Sequence, residues 1–153
     1  MKDIISYMVD WVIHYLRNKD IVAKNIVSID TVQEGLLVKY KNSEQFYKLL
    51  PSIVDCNEII QKIKEHPNFA LVLLNSRDNF QIITQNWKRF IDFQQFTILF
   101  INPFSQLDTK WIINPYIHNK ICDNASLLTG LKSIFGTVEP ISEDQYKRLV
   151  SNT

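Results

Sequence analysis

The polar side chains best suited to bind a ligand follow two uninterrupted apolar segments, Phe69–Leu74 and Phe96–Ile101. Each segment is followed at once by an asparagine and then by further polar residues. These are Asn75, Ser76, Arg77 and Asp78 after the first segment, and Asn102, Ser105 and Asp108 after the second. In an open parallel sheet, ligands bind beyond the carboxyl ends of the strands, because loops and helix N-termini converge there. The sequence therefore predicts a crevice for a small polar or anionic ligand, with Arg77 as its cation.

The same residue types also make ordinary turns and helix caps, so a second interpretation stands beside the first. Asp78 followed by Gln81 has the spacing of a capping box, in which the carboxylate accepts a hydrogen bond from an early helix amide. Ser76 or Asn75 can form an Asx-type turn. Arg77 is the residue of this cluster that a role in a turn or a helix cap explains least. The sequence leaves both interpretations open.

A third polar cluster lies in a loop-rich stretch before Asp123 and contains His118 and Lys120. Histidine changes its charge near neutral pH, which suits it to proton transfer. Cys122 and His118 could be drawn as a nucleophile and its base, but adjacency in sequence does not establish a dyad. We predict that His118 and Lys120 line the crevice, and we leave the catalytic residues unassigned.

Two functions fit these clusters. The first is a non-catalytic binding or protein-interaction module whose crevice combines all three of them. The second is an enzyme acting on a phosphate-containing substrate, with Arg77 and Lys120 stabilising charge and His118 serving as acid or base. This second function requires Asp108, His118 and Arg77 to come within reach of one bound atom.

Residue counts disfavour several other kinds of site. The chain has three glycines, all far apart, whereas the loops that cradle nucleotide phosphates need closely spaced glycines. Its two cysteines and three histidines show no pair of the short spacings that form a zinc site. We therefore predict neither a metal site nor a cofactor.

The charge of the chain is nearly balanced, with 17 lysine and arginine side chains against 16 aspartate and glutamate side chains. No overall field would draw such a chain to nucleic acid. Trp87 stands beside Lys88 and Arg89, but it falls on the apolar stripe of a predicted helix, where it cannot stack on a base. Nucleic-acid binding is therefore disfavoured.

The expected compartment is the cytoplasm. The apolar stretch Ile4–Leu16 is interrupted by Asp10 and His14, and it is shorter than a membrane span. The two cysteines, Cys56 and Cys122, form no disulfide framework, which suits a reducing environment. We expect a soluble protein with no membrane association.

The elements that must position the polar clusters follow from hydrophobic patterns and cap signals. The predicted order is helix Asp3–Arg17, strands Asn25–Val32, Gly35–Lys41 and Gln45–Leu50, a helix opened by Asp55 and ending before Pro67, strand Phe69–Leu74, a helix carrying Phe80 to Ile91, strand Phe96–Ile101, a candidate strand Lys110–Ile113, a helix from Asp123 to Gly136, and a last helix opened by Ser142.

This order predicts an α/β fold, or an α+β fold with a mixed sheet, in one domain over residues 1–153. An N-terminal helix and a β-hairpin precede a parallel β-α-β unit, whose strands are apolar throughout because both of their faces are covered. The C-terminal helices pack on the sheet. Gly35 lies in the predicted turn of the hairpin.

The N-terminal helix carries an aromatic stripe formed by Tyr7, Trp11 and Tyr15, on the side away from its broad apolar face. One interpretation is that the stripe covers the edge of the chain's own sheet. The other is that it contacts a partner, either a second copy of the chain or another protein, because aromatic side chains anchor interfaces.

The order helix, three strands, helix, strand resembles the core of restriction-endonuclease-like nucleases, over roughly the first half of the chain. That family carries an acidic residue on its second strand and an acidic-x-lysine motif on its third, which hold magnesium. Asp30 and Glu34 could offer carboxylates here. The residues two before the lysines are not acidic: Leu37 before Lys39, Lys39 before Lys41, and Phe46 before Lys48. The resemblance thus implies a nuclease that is inactive or differently built.

Overall fold

The computed structural model describes residues 3–33, 35–107 and 109–151. In chain order the elements are α1 (Ile4–Lys19), β1 (Ile26–Val32), β2 (Gly35–Tyr40), β3 (Glu44–Leu50), α2 (Cys56–Glu65), β4 (Phe69–Leu74), α3 (Arg77–Gln85), α4 (Trp87–Phe90), β5 (Thr97–Ile101), β6 (Lys110–Ile113), α5 (Pro115–Ile121), α6 (Asn124–Phe135) and α7 (Glu143–Ser151). Among the described helices, none combines the length and the apolar character needed to cross a membrane.

The six strands form one mixed sheet in the order β1-β2-β3-β4-β5-β6. The first three strands pair antiparallel, β3, β4 and β5 run parallel, and β6 returns antiparallel to β5. The predicted α/β fold with a mixed sheet is thus confirmed, as is the parallel unit of β4 and β5. The carboxyl ends of β3, β4 and β5 consequently lie along one edge of the sheet.

Helices cover both faces of the sheet. In β4, Phe69, Leu71 and Leu73 point to the face covered by α2, α3, α4 and α6, and the alternate residues point to the face covered by α1 and α7. All six β4 side chains are buried, which explains why the strand has no polar residue. Both crossover helices, α2 and α3, pack on the same face, as successive right-handed crossovers in one direction require.

Gly35 begins β2 itself rather than lying in the turn before it. A Cβ atom at this position would lie 1.8 Å from the carbonyl oxygen of Tyr47 on β3. Only glycine therefore allows β2 and β3 to pair at the observed spacing.

Two helices differ from the sequence prediction. The helix expected from Phe80 to Ile91 is divided at Asn86 into α3 and α4, and the Asn86 side chain donates to the carbonyl of Ile82 at 2.8 Å. The stretch around His118, expected to be rich in loops, forms α5. Asn114 caps that helix by accepting from the amide of Ile117 at 3.1 Å, and Pro115 occupies its first turn.

Candidate functional site

Asn75 and Asn102 follow the parallel strands β4 and β5, at the edge where the sequence places the crevice. Both residues are buried, with 0% and 3% of their surface exposed. A buried amide side chain must find hydrogen-bond partners, so its partners decide whether it is available to a ligand. Each of the two finds them within the chain.

Asn75 joins three parts of the chain. Its side-chain oxygen accepts from Trp111 Nε1 at 2.7 Å, and its side-chain nitrogen donates to the carbonyl of Val138 at 2.9 Å. Its backbone carbonyl accepts from the amide of Ile141 at 3.0 Å. The segment 138–141, which we call the strap, is thereby fixed across the end of β4.

Asn102 fixes the same strap beyond β5. Its side-chain nitrogen donates to the carbonyl of Glu139 at 2.8 Å, and its side-chain oxygen accepts from the amide of Phe104 at 3.0 Å. Among the described residues, every buried side-chain nitrogen and oxygen has a hydrogen-bond partner. The strand ends are therefore closed by the chain's own backbone.

Asn79 is a third structural asparagine, and the sequence interpretation missed it. It is fully buried in α3; its side chain accepts from the amide of Ile53 at 3.0 Å and donates to the carbonyls of Pro51 and Leu74 at 2.8 and 3.0 Å. These bonds tie the loop after β3 to the end of β4. Nothing in the local sequence distinguishes Asn79 from an exposed helix residue.

Ser76, not Asp78, caps α3. Its hydroxyl accepts from the amide of Asn79 at 3.1 Å. The prediction of Asp78 as the cap is therefore wrong by two positions. Asp78 is exposed in the first turn, where its carboxylate still interacts favourably with the helix dipole. Arg77 is exposed beside it at the same sheet edge.

Ser105 forms part of the loop between β5 and β6, where its hydroxyl accepts from the amide of Leu107 at 3.3 Å. This contact stabilises the turn locally. Asp108, predicted to bind ligand from the same loop, lies outside the described residues.

His118 and Lys120 lie at the other edge of the sheet. Because β6 runs antiparallel to β5, it carries the chain back to the edge where β5 begins. There Asn114, which caps α5, donates from its side chain to the carbonyl of Gln94 at 3.1 Å. His118 packs edge-on against Trp87, with ring centroids 6.4 Å apart.

The prediction that all three polar clusters share one crevice is therefore wrong. Arg77 lies beyond the carboxyl end of β4, and His118 lies beyond the amino end of β5. A five-residue strand, about 16 Å long, separates those two edges. The condition set for the phosphate-directed enzyme, that Arg77 and His118 reach one bound atom, is not met.

Trp87 contributes to packing rather than to a stacking surface. Its side chain is 7% exposed, and its indole N–H donates to the side-chain oxygen of Asn119 at 3.2 Å.

Within the described ranges, no group of three or more His, Cys, Asp or Glu side chains is arranged to hold a metal ion.

An open crevice of about 920 Å³ lies beside the strap, beyond the end of β5. Its walls come from α1, the loop after β5, the strap and α7, and they include Tyr7, Asn102, Phe104, Leu107, Glu139, Arg148 and Leu149. Of the residues that the sequence interpretation predicted to bind a ligand, Asn102 is part of this lining. The sequence interpretation missed the contribution of the strap and of α7, which are distant in sequence.

The aromatic stripe of α1 is largely engaged within the chain. Tyr7 packs against Phe104 and Tyr146, with ring centroids 5.3 and 5.8 Å apart. Trp11 stacks on Tyr15 at 5.3 Å, and Lys110 lies 5.4 Å from the Tyr15 ring centroid. These contacts support the interpretation that the stripe covers the chain's own structure.

Comparison with protein-family models, with curated proteins and with solved structures finds no match to this chain.

Proposed function

We propose that this chain is a non-catalytic binding module whose ligand occupies the crevice between α7 and the loop after β5. This proposal keeps the ligand at the carboxyl end of the parallel strands, where ligands of open α/β sheets bind. The volume of about 920 Å³ lies within the range of about 300–1,000 Å³ found for small-molecule sites.

The single observation that carries the proposal is the apolar surface exposed at the crevice. Leu107 is 91% exposed and Leu149 is 49% exposed, and both line the same concavity as the half-buried rings of Tyr7 and Phe104. Exposed apolar groups scattered singly are ordinary, whereas apolar groups gathered around a concave surface are typical of binding sites. Burying them under a ligand would remove apolar area from water.

The chemistry of the edge favours binding over turnover. The asparagines predicted to bind a ligand, Asn75 and Asn102, use their side chains to hold the strap. Ser76 uses its hydroxyl to cap α3. Amide side chains are neither acids nor bases near neutral pH, and the Ser76 hydroxyl is engaged by a helix amide, which supports a role in recognition.

The test uses 2-phenylethanol, a neutral molecule with an aromatic ring, as a probe of the crevice. Saturation-transfer NMR should show binding to the wild-type chain and weaker binding to Leu149→Ser. Leu128→Ser is the matched control, because Leu128 on α6 is 46% exposed and lies away from the crevice lining. Equal signals for wild type and Leu149→Ser, or a loss in Leu128→Ser alone, would contradict the proposal.

Contact with a partner through α1 belongs to the same proposal. Trp11 and Tyr15 are half-buried, so part of each ring remains on the surface. A second copy of the chain or another protein would contact this exposed remainder. Sedimentation velocity over a hundredfold concentration range tests self-association, which requires the sedimentation coefficient to rise with concentration and to fall again in Tyr15→Ser.

A cytoplasmic location is also part of the proposal. Cys56 and Cys122 are free thiols in the structure. Free thiols persist in a reducing compartment, and oxidation there is rare. Cell fractionation with antibody detection would test this, since recovery in a secreted fraction would contradict it.

A further inference from the structure

Two exposed side chains of opposite charge line the crevice. Glu139 belongs to the strap and Arg148 to α7, and both side chains are exposed. Neither the Glu139 carboxylate nor the Arg148 guanidinium forms a hydrogen bond or an ion pair with any residue that the structure describes. With respect to the described part of the chain, the crevice therefore offers one acceptor for a cation and one donor for an anion.

The same crevice is also lined by an aromatic ring that is held by packing and by a backbone hydrogen bond. Phe104, Tyr7 and Tyr146 pack against one another, and the Phe104 ring centroid lies 5.3 Å from that of Tyr7 and 5.6 Å from that of Tyr146. Phe104 is held further by the bond from its amide to Asn102. A preformed aromatic surface costs little conformational entropy when a ligand binds, because its side chains are already ordered.

We propose that the crevice binds a short apolar peptide with free termini, with the carboxylate at Arg148 and the ammonium group at Glu139. This inference rests on the proposed function and names its ligand class. A guanidinium binds a carboxylate through two parallel hydrogen bonds, and carboxylates accept readily from ammonium groups. Apolar side chains of the peptide would lie on Phe104 and beside Leu149.

The charge arrangement selects this class over a simple anion. A ligand with only a negative group could pair with Arg148 but would leave the Glu139 carboxylate without a partner. A ligand with only a positive group could pair with the Glu139 carboxylate but would leave Arg148 without a partner. A peptide with both ends free satisfies both groups, and the volume of the crevice leaves room for residues between them.

The test uses the tripeptide leucyl-glycyl-phenylalanine in four forms: free, N-acetylated, C-amidated, and blocked at both ends. Dissociation constants come from NMR titrations of the full chain at low ionic strength, where exposed charge pairs contribute most. Each single block should weaken binding by about threefold or more, the size expected of an exposed ion pair. Equal affinity for all four forms would overturn the inference.

Two conservative variants assign each terminus to its partner. In Arg148→Gln, C-amidation should no longer weaken binding, while N-acetylation still does; in Glu139→Gln the pattern should reverse. Arg77→Gln and Glu44→Gln are the matched controls, since both side chains are exposed and lie outside the crevice lining. Terminal effects that persist unchanged in Arg148→Gln and Glu139→Gln would also overturn the inference.

Failure of the peptide assignment can be distinguished from failure of the proposed function by comparing the peptide titrations with the 2-phenylethanol experiment. If 2-phenylethanol binding depends on Leu149 while peptide termini have no effect, the crevice remains a binding site and only the peptide assignment fails. If the probe does not depend on Leu149, the proposed function fails first.

Discussion

The indole N–H of Trp111 donates to the side-chain oxygen of Asn75 at 2.7 Å, joining β6 to the residue that follows β4. The side-chain nitrogen of Asn75 donates to the carbonyl of Val138, so the same side chain also holds the strap in place. A residue whose position indicated a ligand site is thus a structural junction between two strands and the segment that leads into α7. The crevice described above is lined by the strap, α7, α1 and the loop after β5, and Asn75 is not part of its lining.

Replacing Asn75 by alanine should destabilise the fold strongly. The change leaves the Trp111 N–H and the Val138 carbonyl without partners in the interior, at about 1–3 kcal/mol each, so the total loss is about 2–6 kcal/mol. Urea denaturation measures it. Asn18→Ala is the matched control, because Asn18 is exposed in α1, and it should change stability by less than about 0.5 kcal/mol. A loss below about 1 kcal/mol in Asn75→Ala would contradict the assigned role.

Replacing Gly35 by alanine should destabilise the pairing of β2 with β3. The added Cβ would lie 1.8 Å from the Tyr47 carbonyl oxygen, so the strands must separate, at a cost of about 3 kcal/mol. Gly130→Ala is the control, since nothing lies within 4 Å of a Cβ there and alanine favours the helix by about 0.5–1 kcal/mol. Thermal unfolding should show opposite shifts for the two variants; equal shifts would refute the close approach at Gly35.

The two thiols should react at different rates. Burial raises the pKa of the Cys56 thiol, and the nearby Arg89 cation offsets this rise only in part. The thiolate is the reactive form, so iodoacetamide should modify the half-buried Cys122 several-fold faster than Cys56. Peptide mass spectrometry of a time course at pH 8 reports both rates. Faster reaction at Cys56, in a chain that remains folded, would contradict the burial of α2 against the sheet.

Stability at acid pH should depend on the cap of α6. The side chain and the amide of Ser126 donate to Asp123, and these bonds hold the pKa of the Asp123 carboxyl below its usual value. A carboxyl whose pKa is lower in the folded state than in the unfolded state stabilises the fold. This stability is fully present above the pKa of the unfolded state, about 3.9, and is lost as the pH falls through the lower pKa of the folded state. Asp123→Asn keeps a capping oxygen but does not titrate, so its stability should fall less below pH 4. Parallel pH profiles in urea denaturation would contradict this.

The sequence patterns were sufficient for the sheet but not for the site. The continuous apolar runs before Asn75 and Asn102 predicted two buried parallel strands, and both residues do lie at one edge. Their side-chain partners lie in a strap 63 and 37 residues further along the chain, and no local pattern reveals such a pairing. An asparagine after a strand has the same sequence context whether it binds a ligand or its own backbone.

The helix α5 was missed although its signal was present. Asn114 followed by Pro115 is typical of the end of a strand such as Lys110–Ile113, and it also has the residue types of an N-cap and a first helical position. The misplacement of His118 had a different cause. Its position depends on β6 running back along β5, which follows from strand pairing rather than from any residue near His118.

The most direct test of the account is an amide NMR map of the chain titrated with leucyl-glycyl-phenylalanine. Shifts should be concentrated in residues 104–107 and 139–149, on the two walls of the crevice. Shifts centred on Arg77, or on His118 and Lys120, would place the ligand elsewhere and contradict the account.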